Sequence, residues 1–201
     1  MAIKAIFFDL GGVLVTEILR IIEGAFSEET GSSREEVRKV RDRYWLDSEL
    51  GRMSGREFMA NIVGDLGLKK DPDALVEKSC SLITVKEDVL EILKKIGATG
   101  RYKLGVISNN TFEWSDHSKN TLGLGKYFDF WLVSCDIGVK KPDPEIFDVA
   151  AKMVELEREE CLLIDDKQRN IGAAASAGMK CILFKDSEQL LEDLNSLGID
   201  I

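Results

Sequence analysis

The most constraining feature of this chain is a short apolar segment that ends on a carboxylate and then on two glycines. Ala5–Phe8 is entirely apolar, Asp9 follows it directly, and Gly11 and Gly12 come next. Such a run predicts a buried strand, and the glycines let backbone N–H groups approach a charged ligand closely. Because ligands of open α/β sheets collect outside the carboxyl ends of the strands, Asp9 is a candidate site residue. From this segment alone, a turn aspartate that caps the next element is the alternative.

Further short apolar runs predict a parallel sheet. The predicted strands are Ile3–Phe8, Lys103–Ser108, Trp131–Ser134 and Cys161–Ile164, with Cys181–Phe184 as a fifth. Between them, Asp88–Ile96 places its apolar residues on one helical face, and Pro144–Met153 begins with a proline near a first helical turn. Strands that alternate with helices in this way predict an α/β fold with a doubly wound parallel sheet.

The long stretch between the first two strands has a helical pattern and no convincing strand. Ser33–Glu36 and Ser54–Glu57 both have the spacing of a capping box, which predicts that helices begin there. An unstructured loop of this length is abnormal in a compact domain. We therefore predict an α/β core formed by residues 1–15 and 82–201, with an inserted α-helical cap at residues 16–81 that covers the site.

The composition is that of a packed globular protein and disfavours polyanionic partners. Of 201 residues, 44% are hydrophobic and 31% are charged. The formal net charge of -9 disfavours binding to nucleic acid or to an anionic membrane. Because no leader or long apolar segment is evident, we expect a cytoplasmic protein. The cysteines form no C-x-x-C pair and are expected to be buried free thiols; they are Cys80, Cys135, Cys161 and Cys181.

Polar side chains follow four of the predicted strands. In chain order they are Asp9, then Ser108 and Asn109, then Lys141, and finally Asp165 and Asp166. Since the carboxyl ends of parallel strands meet at one edge, we expect a nucleophile, oxyanion-binding groups, a cation and a carboxylate pair suited to Mg²⁺ to converge there. Each residue alone has an ordinary explanation in a turn, a loop or a helix cap. Their order after successive strands favours phosphoryl transfer.

This order of motifs resembles the haloacid dehalogenase-like hydrolase superfamily over nearly the whole chain. Gly138–Phe147 is close to the family's lysine motif, and residues 16–81 stand where the family places its helical type-1 cap on a Rossmann-type core. The resemblance implies that Asp9 attacks phosphorus and forms an aspartyl-phosphate, which divides the transfer into two easier steps.

The resemblance also implies a magnesium site. Mg²⁺ would bridge Asp9 and a phosphate oxygen, with Asp166 as the direct carboxylate ligand and the carbonyl of Gly11 completing the protein ligands. Asp165 would assist directly or through water. Asn170 stands where many relatives carry another aspartate, so it is expected to act at most behind the metal ligands.

Phosphate binding is implied for three further residues. Ser108 and the backbone N–H of Asn109 would bind phosphoryl oxygens. Lys141 would pair with both Asp9 and the phosphate. Lys140 would be its solvated neighbour.

The first motif departs from the pattern of most phosphatases in the superfamily, because Gly11 stands where they carry a second aspartate that serves as general acid and base. Such help is typically worth about 10²–10⁴-fold. Three accounts compete: a substrate with a good leaving group, a proton supplied by another residue or water, or binding without efficient turnover. His117, Glu17 and Thr16 are the candidate substitutes.

Two other functions stay open at this point. A catalytically weak member would bind a phosphometabolite or a protein partner, because Gly11 removes one catalytic group and leaves the phosphate-binding residues in place. A 2-haloacid dehalogenase would also lack the second aspartate, but those enzymes do not retain the acidic pair that is present here as Asp165 and Asp166. We therefore expect a Mg²⁺-dependent phosphatase.

A closing helical cap predicts a small phosphorylated metabolite as the partner, because a lid that excludes water leaves little space for a folded protein. Cap residues would set specificity. Arg52 is expected to be a solvated loop residue and Tyr44 and Trp45 to pack between helices, while Phe112 and Trp114 have the same ambiguity. The sequence is compatible with a monomer or a homodimer.

Overall fold

The computed structural model describes residues 2–201. Within this range one five-stranded sheet forms, in the order β3-β2-β1-β4-β5, and every neighbouring pair of strands is parallel. The strands are β1 (Ala5–Phe8), β2 (Lys103–Ser108), β3 (Phe130–Val133), β4 (Cys161–Asp165) and β5 (Lys180–Leu183). This order confirms the predicted doubly wound α/β fold.

The predicted strands all exist, and their ends differ from prediction by at most two residues. The first strand begins at Ala5 instead of Ile3, and the fifth is shifted by one residue. Strand ends depend on where the ladder hydrogen bonds stop, which an apolar pattern does not define.

The helices surround the sheet and alternate with its strands after β2. They are α1 (Ile18–Thr30), α2 (Arg34–Glu49), α3 (Gly55–Asp65), α4 (Pro72–Ser81), α5 (Glu87–Ala98), α6 (Phe112–Asp116), α7 (Ser134–Ile137), α8 (Pro144–Met153), α9 (Gln168–Ser176) and α10 (Ser187–Ser196). A π-helical turn covers His117–Thr121, and 3₁₀ turns cover Leu124–Tyr127 and Arg158–Glu160.

The core lies on both faces of the sheet. Side chains alternate along a strand, so Ile6 and Phe8 pack on the face of β1 that α5 covers, whereas Ala5 and Phe7 pack on the face that α8 covers. Burial on both faces is why β1 is a continuous apolar run. The charged ends of the central strands are thereby held by rigid elements.

Four helices, α1 to α4, occupy the interval between β1 and α5, where the sequence predicts a helical insertion. Both predicted capping boxes form: the Ser33 hydroxyl accepts from the N–H of Glu36 at 3.2 Å, and the Ser54 hydroxyl accepts from the N–H of Glu57 at 3.2 Å. Phe58 is fully buried in the same apolar cluster as the α5 face of the sheet. The insertion is therefore packed against the core.

The chain leaves and rejoins the core through two adjacent segments. The N–H of Thr16 donates to the carbonyl of Thr84 at 3.0 Å, and the N–H of Thr84 donates to the Thr16 hydroxyl at 3.1 Å. Val15 and Val85 form an antiparallel bridge beside them. The two connections of the insertion are thus held together by backbone hydrogen bonds.

The cysteines agree with the sequence only in part. All four cysteines are free thiols, but only Cys135 and Cys161 are buried, and Cys80 and Cys181 are half-buried. Burial raises the pKa of the Cys161 thiol to about 11, so that it stays protonated at neutral pH. Of the helices within residues 2–201, none combines the length and apolar character needed to cross a membrane.

Candidate active site

Some of the predicted polar residues at the carboxyl ends of the strands line one cavity of about 820 Å³, whereas Ser108, Asp165 and Asp166 are not among its lining residues. Asp9, Gly11, Asn109 and Lys141 all line it. A cavity of this volume suits a small-molecule ligand. Carboxylate oxygens of Asp9, Asp165 and Asp166 lie within 4.8 Å of one another at the same place.

Lys141 is the cation at the centre of this cluster, and its side chain has no solvent exposure. Its ammonium nitrogen lies 2.6 Å from Oδ2 of Asp165 and 3.1 Å from Oδ1 of Asp9, and it donates to the carbonyl of Ile107 at 2.6 Å. Burial opposes the charge, but the two carboxylates outweigh burial and raise the pKa of Lys141 above its usual value. Lys141 is therefore a fixed positive charge.

Asn109 holds the loop that carries Lys141. Its side-chain NH₂ donates to the carbonyl of Lys141 at 2.8 Å, and its side-chain oxygen accepts from the N–H of Lys141 at 2.8 Å. This reciprocal pair fastens the loop to the end of β2. The sequence indicated only the backbone N–H of Asn109, so this use of its side chain was missed.

Asp9 is 7% exposed and accepts a hydrogen bond from the N–H of Leu10 at 2.7 Å. Burial raises the pKa of Asp9 to about 7, against the lowering effect of Lys141. The charges of Asp165 and Asp166 add to the increase, and Ser108, buried at the end of β2, opposes it. A cation bound beside Asp9 would favour its ionised, nucleophilic form.

Asp165 has its oxygens committed to protein donors. Besides Lys141, they accept from the backbone N–H of Lys167 at 2.8 Å and from the side-chain NH₂ of Asn170 at 3.0 Å. Asn170 thus orients Asp165. These contacts indicate that Asp165 positions its neighbours and has little free capacity to bind a metal.

Asp166 has a different environment. Its Oδ2 lies 2.9 Å from Nζ of Lys167, while its Oδ1 is buried and has no hydrogen-bond donor among residues 2–201. A buried carboxylate oxygen normally has a partner. The residues therefore fit a divalent cation held by Asp9 and Asp166, because hard cations prefer carboxylate and carbonyl oxygens.

Gly12 makes room for this carboxylate. Its φ is +89°, and a Cβ at this position would lie 2.5 Å from Oδ2 of Asp166. A side chain at Gly12 would displace the acidic group. This explains one of the two glycines in the opening segment.

The surroundings of Lys140 differ from those predicted. It is not a solvated neighbour of Lys141, because its ammonium pairs with the carboxylate of Glu49 at the end of α2, which is 2% exposed. Burial raises the pKa of Glu49 against the effect of Lys140. Glu49 lines the cavity and was missed, because nothing in its local sequence connects it to Lys140.

The residues that could replace the missing acid differ in whether they line the cavity. Thr16 and Glu17 line the cavity, and Glu17 pairs with Lys167 at 2.8 Å. His117 begins the π-helical turn and is not among the residues that line the cavity. Its position at the cavity therefore favours Glu17 over His117 as the substitute acid.

The aromatic candidates lie mainly between the insertion and the core. The rings of Trp45 and Trp114 stack with centroids 5.8 Å apart, and both residues also line the cavity. Tyr44 donates to Asp65 at 2.9 Å, and Phe112 is exposed away from the cavity wall. Trp45 thus combines packing with a place at the site.

Arg52 has the surroundings expected of a solvated loop residue. It pairs with Asp47 at 3.1 Å on the surface. It does not line the cavity.

Fold and cluster together define an α/β protein with a carboxylate and lysine centre at the carboxyl edge of its sheet. The model of the haloacid dehalogenase-like hydrolase family matches residues 3–178. The chain therefore belongs to this family of hydrolases, as its motifs indicated.

Two proteins are similar in sequence to this chain. Flavin mononucleotide hydrolase 1 from Arabidopsis thaliana is 27% identical over 157 residues, which cover 78% of this chain and 63% of that protein. The chain thus spans less than two thirds of the length of that relative. A phosphatase from Mycobacterium tuberculosis is 29% identical over 211 residues, which cover 98% of this chain and 96% of that protein.

A solved structure has the same fold. A HAD family enzyme from Bacteroides thetaiotaomicron, crystallised in complex with magnesium and inorganic phosphate, superimposes with a TM-score of 0.69. It is 23% identical, and the match covers 92% of this chain and 95% of that chain.

Proposed function

We propose that this protein is a Mg²⁺-dependent phosphatase that hydrolyses a small phosphorylated metabolite through an aspartyl-phosphate. The observation that carries the proposal is the buried pairing of Asp9 with Lys141 at the cavity, close to Asp166, whose Oδ1 has no donor among residues 2–201. The name of the Mycobacterium tuberculosis relative and the ligands of the Bacteroides thetaiotaomicron structure support the same reaction class.

In the first step a carboxylate oxygen of Asp9 attacks phosphorus, and the bond to the leaving-group oxygen breaks. Lys141 is charged and 3.1 Å from Asp9, so it orients the nucleophile and offsets the negative charge that accumulates between two anions. Mg²⁺, held by Asp9, Asp166 and the carbonyl of Gly11, would supply further charge neutralisation. Water then attacks the phosphorus of the aspartyl-phosphate, releases inorganic phosphate and restores Asp9.

Phosphoryl oxygens would bind at the end of β2. Ser108 supplies a hydroxyl there, and the backbone N–H of Asn109 follows it. The Asn109 side chain is already engaged with the Lys141 loop, which keeps both groups in place. Such preorganised donors stabilise the charge that develops during phosphoryl transfer.

The leaving group receives no carboxylic acid from position 11, because the residue there is Gly11. We therefore propose that substrates with a good leaving group, such as an acyl phosphate or a sugar 1-phosphate, are turned over fastest. Among the acids from the insertion side that line the cavity, Glu17 and Glu49 are two candidates to supply a proton. Both are ion-paired, with Lys167 and Lys140 respectively.

The helical insertion is proposed to act as the cap at residues 16–81, over a core of residues 1–15 and 82–201. Ile18 and Leu19 of α1 and Trp45 of α2 form part of the cavity wall opposite Asp9 and Lys141. A wall of this kind excludes water from the nucleophile and selects small substrates.

A binding protein with weak turnover is the second candidate, and Gly11 is the observation that favours it. The 2-haloacid dehalogenase is less consistent with the site. Asp165 and Asp166 would repel the carboxylate of a haloacid unless a cation lay between them.

The test is phosphate release from p-nitrophenyl phosphate, acetyl phosphate, flavin mononucleotide and a panel of sugar phosphates, in Mg²⁺ or EDTA. We expect Mg²⁺-dependent activity that disappears in Asp9→Asn and persists in Asp136→Asn, which changes an exposed carboxylate elsewhere. Activity that survives in Asp9→Asn would refute the mechanism. Ligand binding without turnover would favour the binding protein, and metal-independent halide release from 2-chloropropionate would favour the dehalogenase.

A further inference from the structure

Three arginines of α2 form a row along the same cavity as the catalytic cluster. Arg34, Arg38 and Arg41 are spaced by four and three residues, which places them on one face of the helix, and all three line the cavity. The whole chain carries a formal charge of -9, so this local concentration of positive charge runs against the overall balance.

The carboxylates paired with these three arginines are fewer than the arginines. Glu23 of α1 is 4% exposed and accepts from Arg38 at 3.1 Å and from Arg41. Arg41 also pairs with Asp42 at 2.5 Å. No carboxylate within residues 2–201 lies at ion-pair distance from Arg34.

The guanidinium of Arg34 lies against α1 at Gly24. A Cβ added at Gly24 would be 3.1 Å from Nη2 of Arg34, so the glycine leaves the space that this guanidinium uses. Arg38 pairs with Glu23 on one side and its side chain is still 53% exposed. Arg41 alone is enough to neutralise the charge of Glu23. The neutralisation of Glu23 therefore does not explain why Arg34 and Arg38 also line the cavity.

The row is separated from the catalytic cluster by the length of α2. Glu49 marks the catalytic end, because it pairs with Lys140 beside Lys141. At 1.5 Å per residue, Arg38 is about 16 Å from Glu49 along the helix axis. Trp45 lies between them on the cavity wall and offers an apolar surface.

We propose that the cavity binds an elongated substrate with two oxyanions, in which a second phosphate or a carboxylate binds Arg34 and Arg38 while the scissile phosphate faces Asp9. Guanidinium groups bind both kinds of oxyanion with paired hydrogen bonds. The apolar wall at Trp45 contacts the spacer between the two anions. This inference rests on the proposed phosphatase function for the placement of the scissile phosphate.

Binding is measured by calorimetry in Mg²⁺ with the Asp9→Asn protein, so that turnover does not interfere. The probes share one spacer: octane-1,8-diol monophosphate, octane-1,8-diol bisphosphate and 8-phosphonooxyoctanoate. The short ethane-1,2-diol bisphosphate serves as the probe that does not reach the arginines. We expect at least one of the two long probes that carry a second oxyanion group to bind about tenfold or more tightly than the long monophosphate.

Arg34→Gln and Arg38→Gln are then tested in the same background, with Arg43→Gln as the matched control. Arg43 is on α2 as well, but it pairs with Asp65 and does not line the cavity. We expect the two cavity variants to remove most of the preference for the second oxyanion, and Arg43→Gln to retain it. Circular dichroism of each variant checks the fold, and Arg34→Lys is expected to restore part of the affinity.

The binding and hydrolysis results together show whether the arginine site or the phosphatase activity fails. Equal affinity for the long monophosphate and for both long probes with a second oxyanion group would overturn the inference, even if the wild type hydrolyses p-nitrophenyl phosphate. Equal loss of affinity for all probes in Arg34→Gln would also overturn it. Selective binding of a long probe with two oxyanion groups together with no hydrolysis by the wild type would support the arginine site and refute the phosphatase. A preference for the bisphosphate or for the carboxylate identifies which oxyanion is bound.

Discussion

At the scale of single residues, Asp9 couples the chemistry of the site to its stability. It lies almost fully buried beside Asp165 and Asp166, with Lys141 as its counter-charge. Burial raises its pKa to about 7. In the metal-free protein, the native state therefore keeps a proton on Asp9 that the unfolded chain has already released above about pH 4.

The raised pKa of Asp9 makes the stability of the metal-free protein fall as the pH rises. A raised carboxyl pKa contributes stability that is fully present below about pH 4 and is lost as the pH rises through about 7. We expect Asp9→Asn in EDTA to be more stable than the wild type at pH 8, by a few kcal/mol, and to lose this advantage towards pH 5. Urea denaturation at pH 5, 6, 7 and 8 measures it, with Asp136→Asn as control. Parallel stability curves for wild type and Asp9→Asn would contradict the prediction.

Gly11 offers a second experiment at the residue scale, because an added Cβ there would meet no heavy atom within 4 Å. Gly11→Asp is expected to fit the fold and to supply the missing acid. Hydrolysis of glycerol 1-phosphate, which has a poor leaving group, should rise about 10- to 100-fold, and that of p-nitrophenyl phosphate should rise less. Steady-state kinetics on both substrates provides the measurement.

Gly12→Ala is the matched control for this change. Its Cβ would lie 2.5 Å from Oδ2 of Asp166 at a φ of +89°, so we expect activity to be lost. If Gly11→Asp changed both substrates by the same factor, general acid catalysis would not be the cause.

At the scale of elements, the end of α2 is docked on the core by short contacts. The Ser134 hydroxyl donates to the carbonyl of Glu49 at 2.5 Å and accepts from the N–H of Asn110 at 3.1 Å. Gly51 follows with a φ of +71°, and a Cβ there would collide with the carbonyl of Cys135. The backbone of the insertion thus approaches the core too closely for a side chain.

This close approach predicts that Gly51→Ala separates α2 from the core. We expect it to reduce the free energy of unfolding by about 2–4 kcal/mol and to lower kcat/KM. Gly64→Ala in α3 is the control, because its Cβ meets nothing within 4 Å and alanine favours a helix by about 0.5–1 kcal/mol. Urea denaturation and phosphatase assays compare the two variants, and a harmless Gly51→Ala would show that the docking is loose.

The elements themselves were largely predictable from sequence. β1 and β4 are buried on both faces and read as apolar runs, and the capping boxes at Ser33 and Ser54 marked two helix starts. The short elements after β2 were not predicted. The π-helical turn at His117–Thr121 depends on tertiary packing, as does the four-residue helix Ser134–Ile137.

At the scale of the whole molecule, ligand binding and folding are linked through the acidic cluster. If Mg²⁺ binds Asp9 and Asp166 only in the native state, 100 Kd of Mg²⁺ adds about 2.7 kcal/mol of stability. For a chain of this size we expect the Tm to rise by about 5–10 °C. Asp166→Asn should abolish most of this rise and Asp136→Asn should retain it, as thermal unfolding monitored by circular dichroism would show.

An equal rise of the Tm in Asp166→Asn and the wild type would contradict the assigned metal ligands. Asn170→Ala is expected to give an intermediate rise, because the side-chain NH₂ of Asn170 orients Asp165.

The cluster of Asp9, Lys141 and Asp165 could be anticipated from sequence because parallel strands bring their carboxyl ends together. Asp9, Lys141 and Asp165 follow such strands and do meet. The pairing of Glu49 with Lys140 could not be anticipated, since it joins residues 91 positions apart through the docking of α2. The spacing of the arginines on α2 was visible, but only the cavity shows which side of that helix faces the site.

The paired connections at Thr16 and Thr84 have a consequence for protein engineering. Because one backbone hydrogen bond and one hydrogen bond to the Thr16 hydroxyl join these two residues, the ends of the helical segment lie side by side where they leave the core. We therefore expect the proposed cap to be exchangeable if its replacement also reproduces the contacts of α2 with the core. We expect that another helical unit with equally close ends could be grafted there, so that a chimera would accept different molecules while its nucleophile, lysine and acidic pair remain in register.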